Sequence, residues 1–469
     1  PYTTLFRSGF SAGEAGERLQ AAVECARGSH VVLDAMTGIG VAGVLRGVAG
    51  TLASSLGMDG VLPDKPALPN NDPSADLPLV VAVDAPSGVG VDDGSLPGPY
   101  IPADVTVTFG AMKPCAMVPP ASYACGRITL VDFGFDVDDA VPFAEMTDGD
   151  FVADSVRLPS LADGKYSRGV VGLVTGSARY PGAAVLSARA AACANVGMVR
   201  YLGPQRAQDM ILAVLPEAVL GKGRVQSWVV GSGVPAEGDV ASGDDMQRAT
   251  IAALLDHYAL EDGDGSRNER AEGMPPIVVD AGALDLLPCH VVPQVVITPH
   301  AGELAALLNR LDADMADVVS RQWVEARPLR AALRAHELTG ATVLLKGAVT
   351  IVVGADGDGN TRIILSGRAP AWMATAGSGD VLAGVLGALL AQQDDMLSDD
   401  PALVPEVATA AAYMHGLAVA MASGSEQRGW HRPHLYGHAG KTPASAIGHP
   451  IVAGDVVAAV PRAFGELLR

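Results

Sequence analysis

The sequence predicts two successive α/β domains, and three observations carry that expectation. At 469 residues the chain is longer than one hydrophobic core usually serves. Its hydrophobic content is 49% with only 4% aromatic residues, and Ala, Val, Leu and Gly dominate, which suits short valine-rich strands covered by helices. Polar, glycine-bearing turns follow several of those strands, where an open α/β sheet presents its ligand-binding groups.

Taken in order, Pro1 to Ser8 do not resemble the alanine-rich sequence after them, and they read as a non-native leader on a chain whose true start is missing. A helical pattern over 9–30 (Ala12, Ala15, Leu19, Ala22, Val23) precedes the strand Val31–Leu33 and its turn Asp34-Ala35-Met36-Thr37-Gly38-Ile39-Gly40. A Pro/Asp-rich loop at about 61–78 leads to the strand Leu79 to Val83, which ends in Asp84-Ala85-Pro86-Ser87-Gly88. Ala103 to Gly110 and Arg127 to Val131 alternate or are β-branched, as strands do. The first domain is placed at 9–145, an Asp/Pro-rich linker falls at about 135–160, and the second domain covers 155–469.

The second domain opens with Gly169-Val-Val-Gly-Leu-Val-Thr-Gly176-Ser177, a strand into a tight turn. Glu261 to Pro276 reads as an acidic, disordered loop. Ser423 to Pro450 reads as a polar insertion, and Ile451 to Leu468 returns to a helical pattern.

The net charge of −20 argues against a nucleic-acid or anionic-membrane surface, so an anionic ligand must be held by local donors. No apolar run reaches the length of a membrane span and no signal peptide is visible, which predicts a cytoplasmic protein. The five cysteines (Cys25, Cys115, Cys125, Cys193, Cys289) show no metal spacing and are expected to stay reduced.

The most informative stretch is Ala376-Gly377-Ser378-Gly379-Asp380, followed by the apolar run Val381 to Ala391. Small residues at the start of a buried helix let N–H donors and the helix dipole meet a phosphate. Asp380 beside them can take a proton from a hydroxyl attacking phosphorus. Taken alone, the stretch is equally a glycine-rich turn before a core helix. Three more turns accompany it: Gly176 to Ala184, Ile297 to Glu303 and Leu345 to Thr350, each read at the end of a strand. Singly, His300 reads as a cap or surface histidine, Lys346 as a solvated lysine, and Glu303 as a helix-start residue or a metal ligand. Their shared position at strand ends favours one ligand site.

The series Gly-Ser-x-x-Tyr-Pro-Gly-Ala-Ala (176–184), Asp280 to Leu284, Thr298-Pro-His-Ala-Gly-Glu303, Leu345 to Thr350 and Ala376 to Gly384 is similar, over roughly 155–469, to the ADP/ATP-dependent NAD(P)H-hydrate dehydratase family of the ribokinase-like superfamily. The resemblance implies that Lys346, Gly347, Ala348, Val349 and Thr350, with Gly377, Ser378 and Gly379, line the nucleotide. It implies that Ala183, Gly233, His300 and Asp380 contact the hydrated nicotinamide nucleotide. Val230-Gly231-Ser232-Gly233 departs from the usual Gly-Pro-Gly by Ser232. Asp34 to Gly40, Asp84 to Gly88, Thr108-Phe109-Gly110 and Lys113 resemble the NAD(P)H-hydrate epimerase family, which implies an incomplete Rossmann-like three-layer domain ahead of the ribokinase-like one. By that match Asp34 and Ser87 help hold a potassium ion, Gly38, Ile39, Gly40 and Asp84 touch the nucleotide, and Asp34 or Lys113 transfers a proton. Met36-Thr37-Gly38-Ile39-Gly40 replaces the usual Leu-Leu-Gly-Thr-Gly. The family's Asn-Asn-Gly-Gly-Asp-Gly loop is absent from the chain, so the epimerase domain is expected to be truncated and inactive.

The implied reaction is repair of (6S)-NAD(P)H hydrate at the expense of ADP or ATP, with Mg²⁺ bridging the phosphates. Hydrated NAD(P)H and ADP/ATP are the expected partners, without nucleic acid or membrane, and a homo-oligomer is expected. A ribokinase-like kinase of a vitamin-precursor alcohol is the nearest alternative, and a nucleotide-binding regulator without turnover is a third.

Overall fold

The structure is a computed structural model, and it describes residues 12–59, 62, 78–136, 140–236, 246–261, 265–312, 317–426, 434–435 and 447–468. The expected leader at 1–8 lies outside these residues, as do most of the 61–78 loop and most of the 423–450 insertion. The chain divides into two compact units, Pro1–Val141 with Arg432–Ala444, and Pro142–His431 with Ser445–Arg469.

In the first unit, β1 (Val31–Asp34), β2 (Leu79–Val83), β3 (Val105–Phe109) and β4 (Arg127–Val131) lie side by side in that order, all parallel. Their valine- and threonine-rich sequences suit a pleated surface. Two residues of the expected insertion, His434–Leu435, add a short parallel strand beside β4. The helices Ala12–Arg27 and Gly47–Leu56 belong to this unit. Edge strand β1 keeps much apolar surface, with Val31 49% and Leu33 70% exposed.

The second unit carries a ten-stranded sheet built from β5 (Glu145–Met146), β6 (Val170–Val174), β7 (Met198–Tyr201), β8 (Val219–Leu220), β9 (Ser227–Val230), β10 (Ile277–Val279), β11 (Val295–Ile297), β12 (Thr342–Leu345), β13 (Val349–Ala355) and β14 (Thr361–Arg368). The spatial order is β5-β14-β13-β12-β11-β10-β9-β6-β7-β8, and only β13 runs against the rest. The turns after β6, β9, β10, β11, β12 and β14 therefore open on one edge. Strands β10, β11 and β12 are buried along their whole length, as a parallel sheet covered on both faces requires.

Alanine- and valine-rich helices Pro181–Cys193, Ser378–Gln392, Val404–Ser423 and Ala453–Leu467 contribute to the main core. Small residues permit their close approach. A Cβ on Gly384 would stand 2.4 Å from the Ser187 carbonyl oxygen, so glycine there lets Ser378–Gln392 lie directly on Pro181–Cys193.

Three expectations need correction. Glu145 to Asp154, read within the linker, forms β5 and the helix Gly149–Asp154. Arg362 of β14 fixes Glu145 through bonds of 2.6 and 2.8 Å, which draws this short strand onto the sheet edge. The loop expected to be disordered at 261–276 contains the helix Gly265–Glu272. Arg267 ties that helix to Glu261 and Asp256, and the Gln294 side-chain amide donates to its last carbonyls at Ala271 and Glu272. Finally, Pro401–Ser423 is long and apolar enough to cross a membrane by length and composition, but 78% of its apolar window is buried within the protein, where it serves as a core helix. All five cysteines are free thiols.

Candidate active site

Each parallel strand of the second unit delivers one polar turn to the same sheet edge. After β10 comes Asp280, buried and accepting three side-chain hydrogen bonds: Ser232 Oγ from the turn after β9 at 2.7 Å, Thr298 Oγ1 after β11 at 2.9 Å, and Lys346 Nζ after β12 at 2.8 Å. Lys346 Nζ is also 3.6 Å from Glu303 Oε2. Burial pushes the Asp280 carboxyl up, but Lys346 and the hydroxyl donors outweigh it and the carboxyl lies below the usual range. The amine of Lys346 is disfavoured by burial, yet the carboxylates of Asp280, Glu303 and Asp380 raise it overall. The pair is ionised.

Asp380 sits in the first turn of Ser378–Gln392, where Gly377 takes a left-handed φ of 87° to start the helix. Burial and the nearby charge of Asp280 push its carboxyl up to about 7, while Lys346 pulls the other way. The N–H groups of Gly379 and Asp380 have no carbonyl four residues back within the helix and are available to an anion. The Ser378 hydroxyl turns inward instead, 3.1 Å from buried His415 Nε2 on Val404–Ser423. Burial holds His415 down at about 4, so it is neutral.

The nucleotide residues expected at 346–350 separate in space. Lys346, Gly347 and Ala348 form the hairpin turn between β12 and β13, whereas Val349 and Thr350 are buried within β13. The Thr350 N–H donates to Ser366 Oγ at 3.3 Å, so its backbone serves the sheet. Ala183 and Gly233 do meet. A Cβ on Gly233 would fall 2.3 Å from Ala183 Cβ, which closes the turn after β9 onto the start of Pro181–Cys193.

His300 caps the helix Ala301–Leu311. Its Nδ1 accepts from the N–H groups of Gly302 and Glu303 at 3.1 and 3.2 Å, and the Glu303 carboxylate accepts from the His300 N–H at 2.8 Å. The cap occupies Nδ1, while Nε2 lies 3.4 Å from Glu303 Oε1 on a side chain that is 59% exposed. The capping role and an exposed side chain thus coexist in one residue.

In the first unit, Asp34 at the end of β1 accepts from the Ser87 hydroxyl at 2.5 Å and the Ser87 N–H at 2.7 Å. Asp84 holds a left-handed φ of 73° and pairs with Lys113 Nζ at 2.6 Å. The same ammonium donates to Thr108 Oγ1 and the Phe109 carbonyl. A Cβ on Gly38 would lie 3.9 Å from Asp84 Oδ2, and Ile39 is 63% exposed beside Gly40.

Sequence reasoning missed two contributors, Asp280 and His415. Asp280 is visible as the first residue of a motif, but its ties to Ser232 and Lys346 span 48 and 66 residues. His415 gives only a lone histidine in an apolar helix as a signal.

Residues 171–436 match the NAD(P)H-hydrate dehydratase family, and residues 10–115 match the YjeF-related protein N-terminus. The bifunctional NAD(P)H-hydrate repair enzyme of Mycobacterium tuberculosis is 37% identical over 393 residues, covering 81% of this chain and 68% of that protein. Its counterpart in Corynebacterium glutamicum is 30% identical over 454 residues, covering 79% and 73%. A solved ADP/ATP-dependent NAD(P)H-hydrate dehydratase from Bacillus subtilis, co-crystallized with ATP/Mg²⁺, aligns with a TM-score of 0.47 at 20% identity, over 70% of this chain and 100% of that one. By the extent of the dehydratase match and the identity to full-length relatives, the chain belongs to the bifunctional NAD(P)H-hydrate repair enzymes, an α/β protein of two domains.

Proposed function

We propose that the second domain dehydrates the S epimer of hydrated NADH or NADPH, using ADP or ATP, with Asp380 as the general base. The observation that carries this reading is a carboxyl pushed up to about 7 beside an ammonium at the start of a buried helix. The hydrated ring bears a hydroxyl on C6, and hydroxide is a poor leaving group. Asp380 takes the hydroxyl proton as its oxygen attacks the terminal phosphorus, and the bond from phosphorus to the nucleotide breaks. Charge on the transferring phosphoryl meets the first-turn N–H groups of Ser378–Gln392 and the Lys346 ammonium. The C6–O bond then breaks with phosphate leaving, the ring nitrogen lone pair drives the departure, and loss of the C5 proton restores the dihydronicotinamide. In this reading Lys346, Gly347 and Ala348, with Gly377, Ser378 and Gly379, line the nucleotide side, while Val349 and Thr350 support that turn from within β13. Ala183, Gly233 and His300 face the nicotinamide side, His300 offering its Nε2–H.

Among the described residues no group of three His, Cys, Asp or Glu side chains could hold a metal. A Mg²⁺ here would be carried by the nucleotide phosphates and completed by water. Such an ion supplies charge neutralisation on the phosphates. In the first domain, Asp34 and Ser87 would hold K⁺, but both Asp34 oxygens already accept from Ser87 and the Ser87 hydroxyl oxygen accepts from the Thr37 N–H at 3.2 Å, so further oxygen ligands would be required. The five free thiols suit a reducing cytoplasm.

Incubation with hydrated NADH and ADP or ATP tests the main reading. Recovery of dihydronicotinamide absorbance is expected. A phosphorylated product accumulating without that recovery would instead indicate a small-molecule kinase. We also propose that this chain does not accelerate interconversion of the R and S epimers. The exposure of Leu33 and Ile39 beside the Asp34 turn supports an open first-domain site. Chromatography of the two epimers over time should show only the spontaneous rate.

A further inference from the structure

We propose that Asp280 is the positioning residue of the dehydratase site, holding the Lys346 ammonium beside Gly379 and Asp380 while Ser232 and Thr298 hold Asp280 in turn. The inference rests on the placement of phosphoryl transfer at Lys346 and Asp380. Four neighbouring parallel strands, β9 to β12, each contribute one side chain to this cluster. Asp280 Oδ1 accepts from Thr298 and Lys346 and Oδ2 accepts from Ser232, so both oxygens are fixed and the carboxylate cannot turn away. Ser232 stands where the related motif usually has proline, which lacks a hydroxyl, so this chain adds a donor to Oδ2.

The consequence falls on the ammonium. Lys346 Nζ lies 3.6 Å from where a Cβ on Gly379 would be, with no side chain between it and the helix start. Three carboxylates compete for it: Asp280, Glu303 and Asp380. Without Asp280, the carboxylates left to the ammonium are Glu303, 3.6 Å away, and Asp380; pairing with Asp380 would make that carboxylate a weaker base and take the cation from the phosphate side. Asp280 keeps the cation and the base apart. The charged groups facing Asp380 are Asp280 and Lys346; Glu303 reaches Lys346, and neutral His415 lies behind Ser378.

The test is the pH profile of kcat/KM for the full chain, with hydrated NADH and ADP, in wild type, Asp280→Asn, Lys346→Met and the double variant. In Asp280→Asn, kcat should fall about tenfold or more, and the acid limb should move to lower pH by roughly one unit as the released ammonium turns to Asp380. A loss of packing alone would lower the rate without moving the limb. The single variant removes the closest partner of a largely buried ammonium and can fail to fold, whereas the double variant removes both charges. The double variant should match Lys346→Met within about twofold, because Asp280 acts through Lys346. Wild-type kinetics in Asp280→Asn, or a further loss of about tenfold in the double variant relative to Lys346→Met, would overturn the proposal. Wild-type kinetics in Lys346→Met would instead remove the site reading on which it stands.

Discussion

Each unit places an aspartate–lysine pair just past parallel strands, and the two pairs are nearly equal in length: Asp84–Lys113 at 2.6 Å and Asp280–Lys346 at 2.8 Å. Their surroundings differ. The side chain of Asp84 is 20% exposed, that of Asp280 only 3%. The second pair also has a further carboxyl beside it, Asp380, on a helix that is buried on almost every face. Burial of an extra carboxyl against an existing ion pair raises its proton affinity toward neutrality, which is what a base working near pH 7 needs. Similar pairs thus acquire different chemistry from the layers around them.

Removing the base should have the largest effect. Asp380→Asn is expected to lower kcat by roughly 10²–10⁴-fold with nucleotide affinity retained. Single-turnover kinetics beside calorimetric ADP binding would show it, and near-normal turnover would abolish the distinction drawn between the two pairs.

The covering layers can be broken next. Leu173, in β6, is fully buried. Leu173→Ala should destabilise the second unit by about 2–5 kcal/mol, the usual range for emptying a core leucine site. Trp228, Trp323 and Trp372 fall in the second unit, so denaturant titration followed by tryptophan fluorescence, in a Trp430→Phe background, reads that unit. A midpoint equal to wild type would mean that burial there contributes little.

What was legible in the sequence follows the same division between local and remote causes. Strands Leu79–Val83 and Arg127–Val131 coincide with their expected limits, because β-branched runs bounded by turn residues state their own conformation. The start of Ser378–Gln392 was legible too, since glycine and an apolar run act locally. The helix Gly265–Glu272 was not, because its sequence is polar and its supports are Glu261, Asp256 and Gln294. Strand β5 is two residues long and exists through Arg362, 217 residues away. Val349 and Thr350 read as part of a ligand turn, yet hairpin pairing takes them into β13. In the site, the individual side chains were legible at strand ends, but the Asp280 cluster was not, for hydrogen bonds across four strands leave no spacing pattern.

A smaller effect concerns pH and stability. Asp380 has a folded value near 7 against 3.8 for the ordinary side chain. The protonated form is therefore favoured in the native state, and stability from this group is full below about pH 4 and is lost as pH rises through 7. Asp380→Asn should melt higher than wild type at pH 8 by roughly 2–4 °C, with the difference disappearing near pH 4. A wild type that is the more stable at pH 8 would show that the carboxylate is held by donors rather than strained by burial.

The smallest expected effect sharpens the comparison most, because it uses the same residue type in the same kind of element. Leu33 lies in β1 of the first unit as Leu173 lies in β6 of the second, both in parallel strands of valine-rich sequence. Leu33 is 70% exposed, and among the described residues its strand is paired with β2 alone. Since its side chain is already largely in water, Leu33→Ala should change stability by no more than about 0.5 kcal/mol. Amide hydrogen exchange in β1 and β2 is the suitable readout, because fluorescence does not report on this unit. An effect as large as that of Leu173→Ala would mean that the exposed face of β1 is covered in solution, and the first-domain site would then have to be treated as enclosed.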